Sequence, residues 1–135
     1  MYRRRWLGWT SLLPLLATAC SGSSLELQTQ IGIGELALSQ EIAIPTSVKV
    51  GQGFLVKVIT VGDGCVDHAS TQLAVNGLVA TIIPLDEFNV TAGVPCQSIG
   101  KSFNHYATVR FYQTGQALVR VQGSNGQMER TLLVQ

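Results

Sequence analysis

The chain of 135 residues carries 9 Lys and Arg against 8 Asp and Glu, a formal net charge of +1. At 46% hydrophobic and 13% charged it can bury the core of one domain, not two. Apart from Arg3–Arg5 its charges are scattered singly, so no basic patch supports nucleic-acid binding.

Taken in order, the chain opens on those three arginines, followed by an apolar run from Trp6 to about Leu16. The run is short of the roughly 20 apolar residues that a spanning helix wants, and Gly8 and Pro14 weaken it further. A positive opening, a short apolar run and small residues mark an export signal. Leu16-Ala17-Thr18-Ala19-Cys20 resembles the lipobox of bacterial lipoproteins, with Leu one place earlier than in the common pattern. The resemblance implies removal of residues 1–19 and a diacylglyceryl group on the Cys20 sulfur, with palmitate-type acyl chains. It makes the membrane a partner through a lipid anchor, several chains being needed for stable attachment. The domain would then sit on the cell membrane or outer membrane, facing the periplasm or exterior; Ser21, where Asp would retain the protein, favours the outer membrane. Ordinary secretion with cleavage near the same place is the alternative. Cleavage also changes the charge: Lys plus Arg falls from 9 to 6 while all 8 acids remain, leaving −2.

Three cysteines are an odd number. Assigning Cys20 to lipid leaves Cys65 and Cys96, which in an exported protein read as a disulfide. Closing a loop of about 32 residues contributes roughly 3–4 kcal/mol in the chain-entropy account. Two free buried thiols are the alternative; a zinc or redox pair lacks any CxxC or Cys/His cluster.

Residues 20–34 read as a flexible tether, beginning Cys-Ser-Gly-Ser-Ser, and 35–135 as the folded domain. Apolar alternation predicts a strand over 35–44, ended by Pro45. After the Gly51-Gln52-Gly53 turn, residues 54–61 form the strongest strand, apolar on both faces and therefore central. Val66–Ser70 reads as a loop, Thr71–Val75 as a strand, Asn76-Gly77 as a tight turn, and Leu78–Pro84 as a strand. Leu85–Val94 is less regular, and a long loop carries Cys96 and Gln97 to about Ser102. His105, Ala107, Val109 and Phe111 alternate with Tyr106, Thr108, Arg110 and Tyr112; two further strands follow around the Gly123–Gly126 turn. No convincing helical period occurs after Cys20. Seven or eight short antiparallel strands make the fold class all-β, a sandwich or barrel.

Ile44–Val58, reading Ile-Pro-x-Ser-Val-x-Val-Gly-Gln-x-Phe-x-Val-x-Val, resembles the early strands of bacterial immunoglobulin-like domains, and Thr108–Gly123 resembles their last ones. The resemblance implies an immunoglobulin-like β-sandwich similar to the bodies of uncharacterised envelope lipoproteins. It departs from antibody-type domains, because Cys65 follows a strand, Cys96 lies in a later loop, and both tryptophans, Trp6 and Trp9, precede Cys20. The disulfide is therefore expected at one end of the sandwich, pinning two loops.

Candidate binding residues are those of these loops: Asp63, Asp67, His68 and Gln97. A small metal site of His68 with Asp63 and Asp67, joined by Asp86 or Glu87, is conceivable, but no recognised ligand spacing supports it. The simpler reading takes His68 and His105 as solvated loop residues. Phe111 is expected in the core; for Tyr106 and Tyr112 one reading exposes them on the opposite face as part of a binding surface, and the simpler one is ordinary sheet pairing. With no nucleophile motif, no enzyme activity and no cofactor are expected. The expectation is a non-enzymatic interaction or structural module of the cell envelope that presents its disulfide-pinned loops to a protein or wall partner. The alternative is a periplasmic or surface ligand-binding or protease-inhibitor-like module. Immunoglobulin-like inhibitors of cysteine proteases resemble this architecture, although their loop motifs are absent here.

Overall fold

The computed structural model describes Gly22 and residues 24–135; the export segment and Cys20 lie outside them. Nine strands follow in order: β1 Leu27–Ile33, β2 Glu35–Leu36, β3 Ser47–Val48, β4 Phe54–Gly62, β5 Val66–Asn76, β6 Val79–Thr91, β7 Lys101–Val109, β8 Gly115–Gly123 and β9 Gly126–Val134. None of the described residues is helical, so no helix there is long and apolar enough to cross a membrane.

The strands divide into two sheets. One holds six strands in the order β1-β6-β8-β9-β3, with β5 on the other side of β6; the second holds β2-β4-β7. Period-two alternation decides which side chains lie between them. On β4, Phe54, Val56, Val58 and Thr60 point inward while Leu55 and Lys57 face solvent. On β7, His105, Ala107 and Val109 are buried between exposed Tyr106 and Thr108, and β8 buries Ala117, Val119 and Val121. Ala80 and Ile82 of β6, Leu132 and Val134 of β9, and Leu36, Ile42, Val48 and Phe111 complete the core. Phe54 and Phe111 meet with ring centroids 6.2 Å apart, within the range of favourable tilted pairs. The all-β, two-layer reading and the central place of 54–61 thus hold, as does buried Phe111, and Tyr106 and Tyr112 are exposed.

Four expectations are corrected. The strand expected over 35–44 shrinks to Glu35–Leu36, and a strand forms instead at Leu27–Ile33, in the stretch expected to be tether. The reason is the length of β6. Its first half pairs with β8, from Val79↔Leu118 to Ile82↔Val121, which leaves its second half open on that side. β1 takes the place, from Ile33↔Leu85 to Leu27↔Thr91. Because Leu27 and Ile31 stay exposed, β1 is held by its backbone ladder, which apolar periodicity does not report. Val66–Ser70 and Leu85–Thr91, expected as loop and irregular chain, are strand for the same reason. Pairing is also not antiparallel throughout: β6–β8 and β3–β9 are parallel. Finally, His105 is not a solvated loop residue; it is fully buried on β7.

Glu35–Leu36 pairs with β4, from Glu35↔Val61 to Leu36↔Thr60, and a side chain holds its other edge. The Asn125 amide receives the Leu36 N–H (2.9 Å) and donates to the Leu36 carbonyl (3.0 Å), serving as a short length of neighbouring strand.

Candidate functional site

Five strand ends converge at one end of the sandwich. Gly62 of β4 pairs with Lys101 of β7, Val66 of β5 pairs with Phe88 of β6, and Leu27 of β1 pairs with Thr91. Cys65 in the β4–β5 turn and Cys96 in the β6–β7 loop are joined there by a disulfide with Cα atoms 5.4 Å apart. The bridge is one of several ties. Gly64 N–H donates to the Gln97 carbonyl (2.9 Å), and Lys101 Nζ donates to the carbonyls of Gly64 (3.4 Å) and Val66 (3.1 Å). A Cβ on Gly64 would crowd Gln97, so only glycine lets the two segments lie this close.

The expected contact residues occupy different settings here. Asp63 and Gln97 are in the joined turn and loop, whereas Asp67 and His68 are on β5. Asp63 Oδ1 accepts the Cys65 N–H at 2.8 Å, an Asx turn that shapes the bend. Asp67 receives Lys101 Nζ at 3.3 Å. His68 lies over His105, with ring centroids 4.5 Å apart. Among the described residues, the potential metal ligands close enough to share an ion are Asp63, Cys65 and Cys96, and both sulfurs are spent in the disulfide. The combination of His68 with Asp63 and Asp67 is not assembled. Beside the bridge lies a groove of about 280 Å³, walled by Val61, Val66, Phe88, Val90 and the disulfide, with Glu35 also lining it.

One turn of sandwich inward is a polar cluster that the sequence reading did not single out. His105, Asp86 and Thr60 are each 0% exposed. His105 Nε2 lies 2.9 Å from Asp86 Oδ1 and 3.1 Å from Thr60 Oγ1; Nδ1 lies 3.1 Å from both Thr71 Oγ1 and the Ser70 carbonyl. Burial holds the imidazole pKa below its ordinary value, opposed by the nearby Asp86 carboxyl. Burial favours the neutral ring, whose one N–H has two acceptors within reach: Asp86 Oδ1 from Nε2, and the Ser70 carbonyl, which can only accept, from Nδ1. Asp86 Oδ2 has no hydrogen-bond partner among the described residues and packs against Gly34, where a Cβ would collide with it. The cluster joins β5 to β7 across the open side of the sandwich, because no backbone ladder does so. His105, Asp86 and Thr60 are sealed from solvent, and the cluster ties β4, β5, β6 and β7 together.

Strand phase is the signal that locates this cluster. Thr60 follows Phe54, Val56 and Val58; Asp86 follows Ile82 and Pro84; His105 precedes Ala107 and Val109, each in the inward register.

The opposite end differs in chemistry. A groove of about 360 Å³ opens there between β5 and the end of β7, lined by Leu73, Val75, Thr108, Arg110, Tyr112 and neighbours. Arg110 Nη1 is held by the Gly51 carbonyl at 3.0 Å. Comparison of the chain with protein-family models, with curated proteins and with solved structures found no match.

Proposed function

We propose that the protein is a non-enzymatic lipoprotein of the cell envelope, tethered through Cys20, whose disulfide-pinned end is a preorganised contact surface. The sandwich is read as immunoglobulin-like. That reading is supported by its two-sheet layering and by β8 and the first five residues of β4, which fall within the stretches that resemble such domains. The observation that carries the functional reading is the tying of the β4–β5 turn to the β6–β7 loop by the Cys65–Cys96 bridge and by Gly64, Gln97 and Lys101. Loops fixed before contact lose little freedom on binding, so modest contacts suffice. Fractionation of cells with mild crosslinking tests this. The native chain is expected with the membranes and crosslinked through this end, and Cys20→Ser is expected in the soluble fraction. Loop substitutions at Gln97 and Ile99 that leave every envelope contact intact overturn the surface assignment.

A ligand-binding module is the second reading, favoured by the apolar groove with Arg110 and Tyr112 at the opposite end. Binding of a ligand there raises the melting temperature through linkage, and Tyr112→Ala abolishes that rise.

A further inference from the structure

We infer that the disulfide-pinned end seats on the surface of a lipid bilayer, with Val94 and Ile99 entering the boundary between headgroups and acyl chains. The inference rests on the tethered-lipoprotein reading and names the partner of that same end.

Chain direction carries the first step. β1 enters beside the disulfide: Leu27 pairs with Thr91, and Thr29 pairs with Asn89, whose N–H donates to the Cys65 carbonyl at 2.8 Å. Cys20 is seven residues before Leu27, a reach of at most about 25 Å when fully extended. A lipid on Cys20 therefore keeps this end near the bilayer. The far end, with the Asn76-Gly77 turn and Gln135, is removed by the length of β4, nine residues or about 30 Å.

Surface chemistry carries the second. Leu25 (69% exposed), Leu27 (59%), Val94 (51%) and Ile99 (53%) all lie at this end. Loops ordinarily show polar side chains to water. The loop from Ala92 to Gly100 instead contains no charged residue and holds out two branched aliphatic ones. The charges near the pinned end are mostly acidic, Glu26, Asp63 and Asp67, with Lys101 committed to Asp67 and two carbonyls. Anionic headgroups would be repelled there, so the fit is to a zwitterionic surface entered by apolar side chains.

The test uses the full chain as processed by the cell, purified and reconstituted into phosphatidylcholine vesicles. Both native tryptophans, Trp6 and Trp9, precede Cys20, so Ile99→Trp leaves one indole in the processed protein; Val94→Trp is the second reporter and Val50→Trp the control. Intact mass reports lipid on Cys20 independently. The expected result is a blue shift at positions 99 and 94, with about half the emission lost to lipids brominated near the headgroup, the depth an interfacial apolar face reaches. Val50→Trp should be unaffected, and phosphatidylglycerol should weaken the quenching. A lipidated, vesicle-bound protein whose indoles at 99 and 94 stay in water overturns the bilayer contact and leaves the tether intact. Crosslinking of those sites to one protein without lipid quenching overturns it in favour of a protein partner. A mass without lipid overturns the tether, and this inference with it.

Discussion

The two halves of the sandwich are closed by different physics. In the half that contains the Asn76-Gly77 turn, β3, β4, β7, β8 and β9 contribute Val48, Phe54, Val56, Val109, Ala117 and Val134, and the link from β7 to β8 adds Phe111, with Phe111 and Val109 wholly buried. No buried polar side chain interrupts that cluster. In the disulfide half, the inward positions pass to Thr60, Asp86 and His105, and beyond them to a covalent bridge and a lysine on carbonyls. The difference follows from coverage: the second sheet has three strands against six, and β5 pairs with β6 alone. Where apolar contact cannot seal the edge, hydrogen bonds and a disulfide do. Apolar packing supplies free energy. A buried polar network supplies less, because desolvation offsets much of its attraction, but it tolerates only one register.

The comparison breaks most severely at Phe111. Phe111→Ala removes the largest fully buried side chain of the apolar half and is expected to cost about 3–5 kcal/mol, read as a shift in the denaturant midpoint. Loss of the bridge in the Cys65→Ser, Cys96→Ser double variant should cost about 3–4 kcal/mol at most. The distribution of the two effects is more telling than their size. Hydrogen exchange should show the bridge variant losing protection around Val66 and Lys101 while β8 and β9 keep theirs. Uniform loss would mean that the halves do not open separately.

How much of this division was legible in the sequence depends on what each region uses for stability. The apolar half was readable because its strands alternate strictly, as from Phe54 to Val58 and from Ala117 to Val121. The bridge was readable by counting cysteines. β1 was not, because Leu27 and Ile31 face water and only the extra length of β6 gives them a partner. His105 was misread although its phase with Ala107 and Val109 was in view; a histidine inside a sandwich needs Asp86, Thr60 and Thr71, drawn from three other strands, and sequence spacing brings none of them together. Asp67 and His68 were placed in a loop because polar residues at a strand end look the same as a turn until β6 is seen to continue beside them.

A smaller effect sharpens the polar side. Asp86→Ala removes the carboxyl that faces His105 Nε2 in a site closed to water, and a buried polar group left without its partner costs about 1–3 kcal/mol. Asp86→Asn keeps a hydrogen-bonding partner for Nε2 and should cost less. Equal losses from the two variants would show that the Nε2 bond is not what holds the pair.

The smallest effect is a pH dependence, and its sign tests the neutral ring. Burial lowers the folded pKa of His105 below the value near 6.5 of an unfolded histidine. Above that value both states carry a neutral ring and the stability is fully present. As the pH falls through it, the unfolded chain takes up a proton that the folded chain refuses, so stability drops until the folded pKa is reached. The groups facing His105 are Asp86 from β6 and His68, Ser70 and Thr71 from β5, with Thr60 from β4. Of these, His68 is the other imidazole, its ring centroid 4.5 Å from that of His105, so substituting each in turn separates the two. The melting temperature of the oxidised protein should therefore fall between about pH 7.5 and about pH 5.5, above the range of ordinary carboxylates. The fall should persist in His68→Gln and vanish in His105→Gln. A rise on acidification would mean that the ring is charged in the folded state. Asp86 and His105 would then form a buried ion pair, and the polar half would draw more of its stability from electrostatics than its shielding from water suggests.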